Sequence, residues 1–499
     1  MSSQPPPNET GTRSSLQYAQ SLDSADPLRH LREEFIIPSK ADIKRRTATK
    51  DAATKNDEAE PCTYLCGNSL GLQPKRVSEY VQRYLRVWGS KGVFGHFTEL
   101  EDQLTSPWLD IGDDPKVPLS KIVGAQSSEV AVMASLTANL HLLMASFYRP
   151  TKERYKIILE RKAFPSDHAC YAVESQILHH NLSIDDAMIF LDPTESRNHY
   201  LPTSQILSLI DAHASSTALL LLPGVQFYSG QFFDIPTITS YAQARGITVG
   251  WDLAHATGNV PLKLHDWNVD FAAWCHYKYM NAGPGAIAGL FVHSRHGSKT
   301  DPTAADFVPR LAGWWGSDKS SRFRMENRFV PIEGAAGWQL SNPSAIDATA
   351  VIASLSVFEM TSIEALRERS LKLTGYLEDL LNSLSWDGRS KPFEIITPKN
   401  AGERGAQLSV HLEDGLLEPV LEYLEEECAV VDERRPSVIR VAPAPLYNSF
   451  EDVWRFVQIF HAACGKAVAQ TSRSGKEQVV ASSVLAEGGK DSHGWSEIK

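Results

Sequence analysis

The chain has 499 residues, a formal net charge of -11 and 42% hydrophobic side chains. That is ample apolar material for a large core, whereas binding a nucleic-acid backbone needs clustered Lys and Arg, which an acidic chain lacks. No apolar run is long enough to span a bilayer.

The N-terminus, MSSQPPPNETGTRSS, has neither the apolar stretch of a secretory signal nor the Arg-rich pattern of a transit peptide, and the terminal HGWSEIK is no retention or peroxisomal signal. Of Cys62, Cys66, Cys170, Cys275, Cys428 and Cys464, only the first two are close, and no second pair or nearby His completes a zinc pattern. They read as reduced thiols of a cytoplasmic protein.

Residues 1–26 are Pro-, Ser- and polar-rich and read as disordered. An arm and polar insertion follow over 27–63: Leu28, Leu31, Phe35 and Ile36 form a short amphipathic stretch, and 39–60 is charged and nearly free of large apolar groups. A helix is expected over Ala138–Phe147, with Leu140, Leu143, Met144 and Phe147 on one stripe. Candidate strands are Lys156–Leu159, Ala218–Leu222, Ile247–Asp252, Asp270–Trp274 and Ile287–Val292. Their apolar character on both faces is the pattern of parallel strands covered by helices. The pattern changes near residue 345. A long amphipathic helix, Ala365–Leu384, is preceded by Thr361 and Glu364 at capping-box spacing. Strand Gln407–Leu412, helix Leu417–Cys428, strand Val438–Val441 and helix Phe450–Cys464 complete a smaller α+β unit. The fold class is α/β: a large three-layer domain with a mainly parallel sheet over 64–345, a small α+β C-terminal domain over 346–466, and a disordered tail over 467–499.

Ligands of open α/β sheets bind beyond the carboxyl ends of the strands. There the sequence places Ala163-Phe164-Pro165-Ser166-Asp167-His168, Pro223-Gly224-Val225-Gln226, Asp252 with Ala254 and His255, and His276-Tyr277-Lys278-Tyr279. Asp252 and Lys278 are the informative pair. A pyridoxal-phosphate (PLP) enzyme needs a lysine for the imine and an acid that keeps the pyridine nitrogen protonated. Thr137 can cap the helix after Leu136-Thr137, whose free N–H groups suit a phosphate. Phe164 is placed to stack on a flat ring, and Gly283 and Gly285 after the lysine allow close backbone approach.

Several strings together resemble the kynureninase family: Leu65-Cys66-Gly67-Asn68-Ser69-Leu70-Gly71-Leu72-Gln73-Pro74, the Ala163–His168 string, Trp251-Asp252-Leu253-Ala254-His255-Ala256, Trp274-Cys275-His276-Tyr277-Lys278-Tyr279, Arg322-Phe323-Arg324-Met325, Leu340-Ser341-Asn342-Pro343 and Arg440-Val441-Ala442-Pro443. The resemblance runs in order from about Leu28 to Cys464 and implies the aspartate-aminotransferase-like (fold type I) class of PLP enzymes. It implies PLP held as a Schiff base on Lys278 and hydrolysis of L-kynurenine to anthranilate and L-alanine. The 3-hydroxy substrate would give 3-hydroxyanthranilate, in tryptophan breakdown and NAD synthesis.

Carried over residue by residue, the resemblance makes Asp252 the pyridinium partner with His255 beside it. Phe164 becomes the stacking ring, with Pro165, Ser166 and Asp167 lining the site. Leu136, Thr137 and Tyr277 would hold the phosphate, and Tyr277 would also relay a proton. Trp314 and Asn342 would come from the second subunit of a homodimer. Arg440 would clamp the substrate carboxylate, and His96, Ser341 and Asn342 would face the aromatic end. Other reactions of the fold stay open. A cysteine desulfurase needs a reactive thiol on a mobile loop, and an aminotransferase needs a second amino acceptor. A non-catalytic binding protein is disfavoured by the presence of Lys278, Asp252, Tyr277 and Arg440.

Overall fold

The computed structural model describes residues 13–47, 60–161, 163–164, 172–193, 199–324, 329–386 and 388–478. Seven strands form the central sheet: β1 (Val130–Val132), β2 (Lys156–Glu160), β3 (Met188–Leu191), β4 (Thr217–Pro223), β5 (Thr248–Asp252), β6 (Phe271–Trp274) and β7 (Gly289–Val292). Their order is β1-β7-β6-β5-β4-β2-β3. β6, β5, β4, β2 and β3 pair in parallel, while β7 runs antiparallel to both β6 and β1. The five expected strands are all present, within a residue or two at their ends. The short β1 and β3 were not expected; with β7 reversed, the sheet is mainly parallel, as expected from the sequence.

Two-faced burial explains why these runs read as continuously apolar. Ile158, Leu220, Leu222, Val249 and Trp251 point into one core with Ile206, Ile210, Ile235 and Ile238 from helices on that face. Their chain neighbours Ile157, Leu159, Leu219 and Leu221 point the other way, onto Leu140, Leu143, Met144 and Phe147. Adjacent strand residues face opposite sides of a sheet, so only a strand covered on both faces is apolar at every position. The result is the three-layer arrangement.

Helix α3 spans Leu136–Phe147, after α1 (Leu16–Ala25) and α2 (Lys75–Lys91). Its N-cap is Ser135, whose hydroxyl accepts from Ala138 N, and not Thr137, which lies inside the first turn. Helix α4 (Ala345–Phe358) was assigned to the small domain by sequence, yet Val351, Leu355, Val357 and Phe358 share the core of the large sheet. Helix α5 (Ile363–Ser383) is capped by Ser362 rather than Thr361.

The second unit is a four-stranded antiparallel sheet of β8 (Phe393–Ile395), β9 (Leu408–Leu412), β10 (Asp432–Arg434) and β11 (Val438–Val441), in the order β10-β11-β9-β8. Helices α5, α6 (Leu417–Glu426) and α7 (Phe450–Gln478) cover it through Leu373, Leu377, Leu424, Phe456 and Phe460.

Three expectations about the polar segments need correction. Residues 16–25 are not disordered: they form α1, whose Ala19 joins the small unit's core. Arg369 Nε holds Asp26 Oδ2 at 2.6 Å, and Asp23 accepts the Phe450 and Glu451 N–H groups at 2.7 and 2.9 Å. Within 39–60, Lys40–Lys44 is helical with a Ser39/Asp42 capping box, and 48–59 lie outside the described residues. The expected tail from 467 begins as the last turns of α7, and 479–499 lie outside the described residues. Among the described residues, no single helix is long and apolar enough to cross a membrane.

Candidate active site

Two adjacent strands, β5 and β6, deliver the polar groups to one end of the sheet. β5 ends at buried Asp252, whose Oδ1 accepts the Ala254 N–H at 2.7 Å and tightens the turn that follows. That turn carries His255. β6 ends at Trp274, and four residues later comes Lys278, 7% exposed. The Lys278 amine donates to His255 Nε2 at 2.9 Å. The two loops therefore meet at a single buried contact.

The electrostatics of this pocket favour neutral partners around the lysine. Burial, and then the charges of Lys278, Arg440 and Arg434, push the His255 imidazole well below its ordinary range. It is thus a neutral acceptor, and its Nδ1 is buried without a hydrogen-bond partner. Burial, then Cys275 and Asp252, push the Tyr277 phenol upward, so it keeps its proton throughout the neutral range. The Cys275 thiol, hydrogen-bonded to Tyr277, is also raised by burial. His276 is a structural residue: its Nδ1 donates to Ile287 O at 2.6 Å, its Nε2 accepts from Trp274 Nε1 at 2.9 Å, and burial lowers it to about 4.

The Phe164 ring centroid lies 5.6 Å from Lys278 Nζ and that of Tyr277 5.8 Å. Phe164 meets Phe227 edge-on, with centroids 5.5 Å apart. Phe227 in turn presents its carbonyl oxygen to Arg440 Nη1 at 2.8 Å. Behind the lysine, Gly71 N donates to Tyr277 O at 2.8 Å, which pins the 65–74 segment to the lysine loop.

Of the residues singled out by sequence, Lys278, His255, Asp252, Tyr277, Phe164 and Arg440 thus share one neighbourhood. Leu136 and Thr137 open α3. Pro165, Ser166 and Asp167 lie outside the described residues. Trp314 is 51% exposed, packed on Trp315 and Phe323, while Trp315 itself is buried. Ser341 and Asn342 are exposed. His96 is half-buried against Trp108. Among the described residues, these four make no hydrogen bond or ring contact with Lys278, His255 or Arg440. Sequence reasoning missed Asp432, Arg434 and Phe227. The first two could have been found from the alternation Asp432-Glu433-Arg434 and the turn at Arg435-Pro436, which fold a short strand back onto Arg440.

Away from this pocket, Glu129, His265 and His293 bring potential ligand atoms within 4.8 Å of one another. The Glu129 oxygens are already taken by the Gln126 and Ser294 N–H groups and by His265 Nδ1, so the cluster acts as a hydrogen-bonded clamp.

The residues present fit PLP. A buried lysine is paired with a neutral histidine that has an orphaned ring nitrogen. An acid ends the neighbouring strand, an aromatic ring lies over the lysine, and a helix N-terminus opens after β1. Solved structures agree in fold. A variant of C-DES with glycine linked covalently to its PLP cofactor superposes with a TM-score of 0.65 at 15% identity, covering 80% of this chain and 96% of that one. A cysteine desulfurase from Thermococcus onnurineus gives 0.64 at 15% identity, over 81% and 95%. The fold and site define a PLP-dependent enzyme of fold type I.

Closer relatives narrow the class. "Kynureninase 1" of Aspergillus oryzae is 60% identical over 458 residues, 91% of this chain and 94% of that protein. "Kynureninase" of Coccidioides immitis is 58% identical over 458 residues, covering 90% and 94%. The family model for the kynureninase C-terminal domain matches residues 366–460. The chain belongs to the kynureninase family.

Proposed function

We propose that this enzyme hydrolyses the Cβ–Cγ bond of L-kynurenine to release anthranilate and L-alanine, and converts the 3-hydroxy substrate to 3-hydroxyanthranilate. This is a step of tryptophan catabolism that supplies NAD synthesis. The observation that carries the reading is the buried contact between Lys278 and His255, with Asp252 at the next strand end and Phe164 over the lysine. When bound, PLP supplies an electron sink for negative charge developing on the substrate.

The chain's own residues supply the rest. Lys278 holds the cofactor and then takes the substrate Cα proton. Asp252 would keep the pyridine nitrogen protonated, with His255 as its neutral neighbour, and Phe164 would stack on the ring. The first turn of α3, through the Leu136 backbone and Thr137, holds the phosphate with Tyr277, and the lining continues through Pro165, Ser166 and Asp167. Arg440 binds the substrate α-carboxylate. After water has added to the γ-carbonyl and anthranilate departs, Tyr277 returns a proton at Cβ; burial keeps its phenol protonated through the neutral range, so the proton is there to give.

The working unit is a homodimer in this reading. Trp314 and Asn342 then reach the partner's cofactor pocket, and His96, Ser341 and Asn342 face the aromatic end of the substrate. Large apolar groups exposed on the single chain support a covered surface: Trp88, Phe94, Phe97, Trp314 and Phe323. A cytoplasmic setting is proposed from the five described cysteines, all free and buried.

The test is product analysis of the purified holoenzyme with L-kynurenine. Equal amounts of anthranilate and alanine support the reading. Formation of a keto acid, or turnover of cysteine with release of sulfur, would replace it with an aminotransferase or desulfurase activity.

A further inference from the structure

Arg440 does not stand alone. β10 and β11 form a hairpin whose register sets Asp432 directly opposite Arg440. Arg440 Nε and Nη2 lie 2.8 and 2.6 Å from one oxygen, Asp432 Oδ1. Arg434 Nη1 reaches that same oxygen at 2.7 Å. Two guanidiniums therefore share one carboxylate oxygen, and one positive charge is left over.

The cluster is built into the protein rather than laid on its surface. Arg440 is 1% exposed, Asp432 is also buried, and the Arg434 side chain is 30% exposed. Three of Arg440's N–H groups are committed, two to Asp432 and one to Phe227 O. Its Nε edge is closed. Arg434 is freer: Nη1 serves Asp432 and the Glu433 carbonyl, while Nε and Nη2 make no hydrogen bond to the described residues. Its guanidinium carbon lies 5.9 Å from the ring of Phe227, the residue that meets Phe164 edge-on. The fields of both arginines reach the lysine pocket, since both disfavour a charge on His255. Burial and the neighbouring Arg440 also disfavour the charge on Arg434 itself, a cost that an arriving anion relieves.

We infer that Arg434 is a second carboxylate-binding group of the substrate site, and that Asp432 is a positioning residue that holds both guanidiniums and reduces their joint charge to one. The subsite is then matched in charge to one carboxylate, that of a substrate whose remaining end is neutral. Charge-assisted hydrogen bonds from a planar fork give such recognition both its energy and its direction.

This inference rests on the reading of Arg440 as the carboxylate clamp, and the experiment separates the two. Holoenzymes carrying Arg434→Gln, Arg434→Lys, Arg440→Gln, Asp432→Asn and Asp432→Glu are assayed with L-kynurenine. Each is also titrated with 4-(2-aminophenyl)-4-oxobutanoate, which keeps the carboxylate but lacks the amine, and with its carboxamide. Cofactor absorbance and a thermal melt verify that each variant is folded and loaded. Arg434→Gln is expected to raise KM, and the Ki of the acid, about 10- to 100-fold, the loss of one charged hydrogen-bonding partner. The Ki of the carboxamide and kcat should hardly move, and Arg434→Lys should recover part of the loss. Asp432→Asn should lower kcat/KM by about tenfold or more through misplacement of Arg440, with partial rescue by Asp432→Glu. An unchanged KM and acid Ki in Arg434→Gln, beside a large rise in Arg440→Gln, would overturn the Arg434 assignment and leave the clamp standing. An unchanged kcat/KM in Asp432→Asn would overturn the positioning role. If Arg440→Gln also binds the acid normally, the carboxylate lies elsewhere and the proposed substrate pose itself fails.

Discussion

Gly71 is the residue where one methyl group should do the most damage to catalysis from outside the pocket. It lies on the 65–74 segment, with its N–H donating to the Tyr277 carbonyl. A Cβ there would overlap Asn281 Oδ1 and the Lys278 carbonyl oxygen and would fall 2.8 Å from Asn281 Cγ. Comfortable carbon–carbon contact begins near ~3.5 Å, so the lysine loop must retreat by roughly 1 Å. Neither neighbour yields easily: one is backbone, and Asn281 is buried with a positive φ of 56°. Overpacking of this kind costs about 1–3 kcal/mol of stability, and a displacement of ~1 Å at a reacting group costs about 100-fold in rate. Gly71→Ala is therefore expected to lower the urea midpoint and to cut kcat/KM for anthranilate release about 100-fold. The matched control is Gly375→Ala, in α5, where an added Cβ meets nothing within 4 Å. It should leave activity unchanged and gain up to about 1 kcal/mol. A Gly71→Ala enzyme with wild-type midpoint and turnover would refute the close-packing account of the lysine loop.

Tyr277→Phe should retain the cofactor spectrum while slowing turnover by about 100- to 10,000-fold, as for other lost acid–base groups; full turnover would remove the proton-donor role. Glu160 ends β2, and its burial pushes its carboxyl up to about 8 from an ordinary 4.5. Between those pH values the unfolded chain releases a proton that the folded chain keeps, so this group's contribution to stability falls as pH rises and levels off above about 8. The unfolding free-energy advantage of Glu160→Gln over wild type, read by urea titration, should therefore grow from pH 5 to pH 8.5, reaching on the order of a few kcal/mol; a flat difference would exclude a buried protonated Glu160. Asp26→Ala leaves the buried Arg369 guanidinium without its carboxylate and should cost about 3–5 kcal/mol in urea unfolding; a neutral result would mean that the N-terminal arm is not an integral part of the small unit.

The large sheet was legible because burial on two faces writes itself into local composition: Ile157 through Leu159 and Leu219 through Leu222 are apolar at every position. The chemistry was legible for a related reason, since strand ends fix where Asp252 and Lys278 stand. What stayed hidden depends on distant partners. Leu16–Ala25 fully buries only Ala19, with Tyr18 and Leu22 partly buried beside it, a stripe too short to stand out in a polar segment. Its surroundings are fixed by Asp23 and Asp26, whose partners Phe450, Glu451 and Arg369 lie hundreds of residues away. The direction of β7 is set by its pairing with β1 and β6, which its four apolar residues cannot encode. Asp432 and Arg434 read as surface charges until the hairpin places them on Arg440. Trp314, Ser341 and Asn342 are exposed on the single chain, which by itself assigns them no role.

The most direct test of the account is reduction of the purified holoenzyme with borohydride, followed by peptide mapping of the pyridoxyl group. The label is expected on Lys278, with visible absorbance and anthranilate release both lost in Lys278→Ala. A label on any other lysine, or a Lys278→Ala enzyme that still cleaves L-kynurenine, would contradict it.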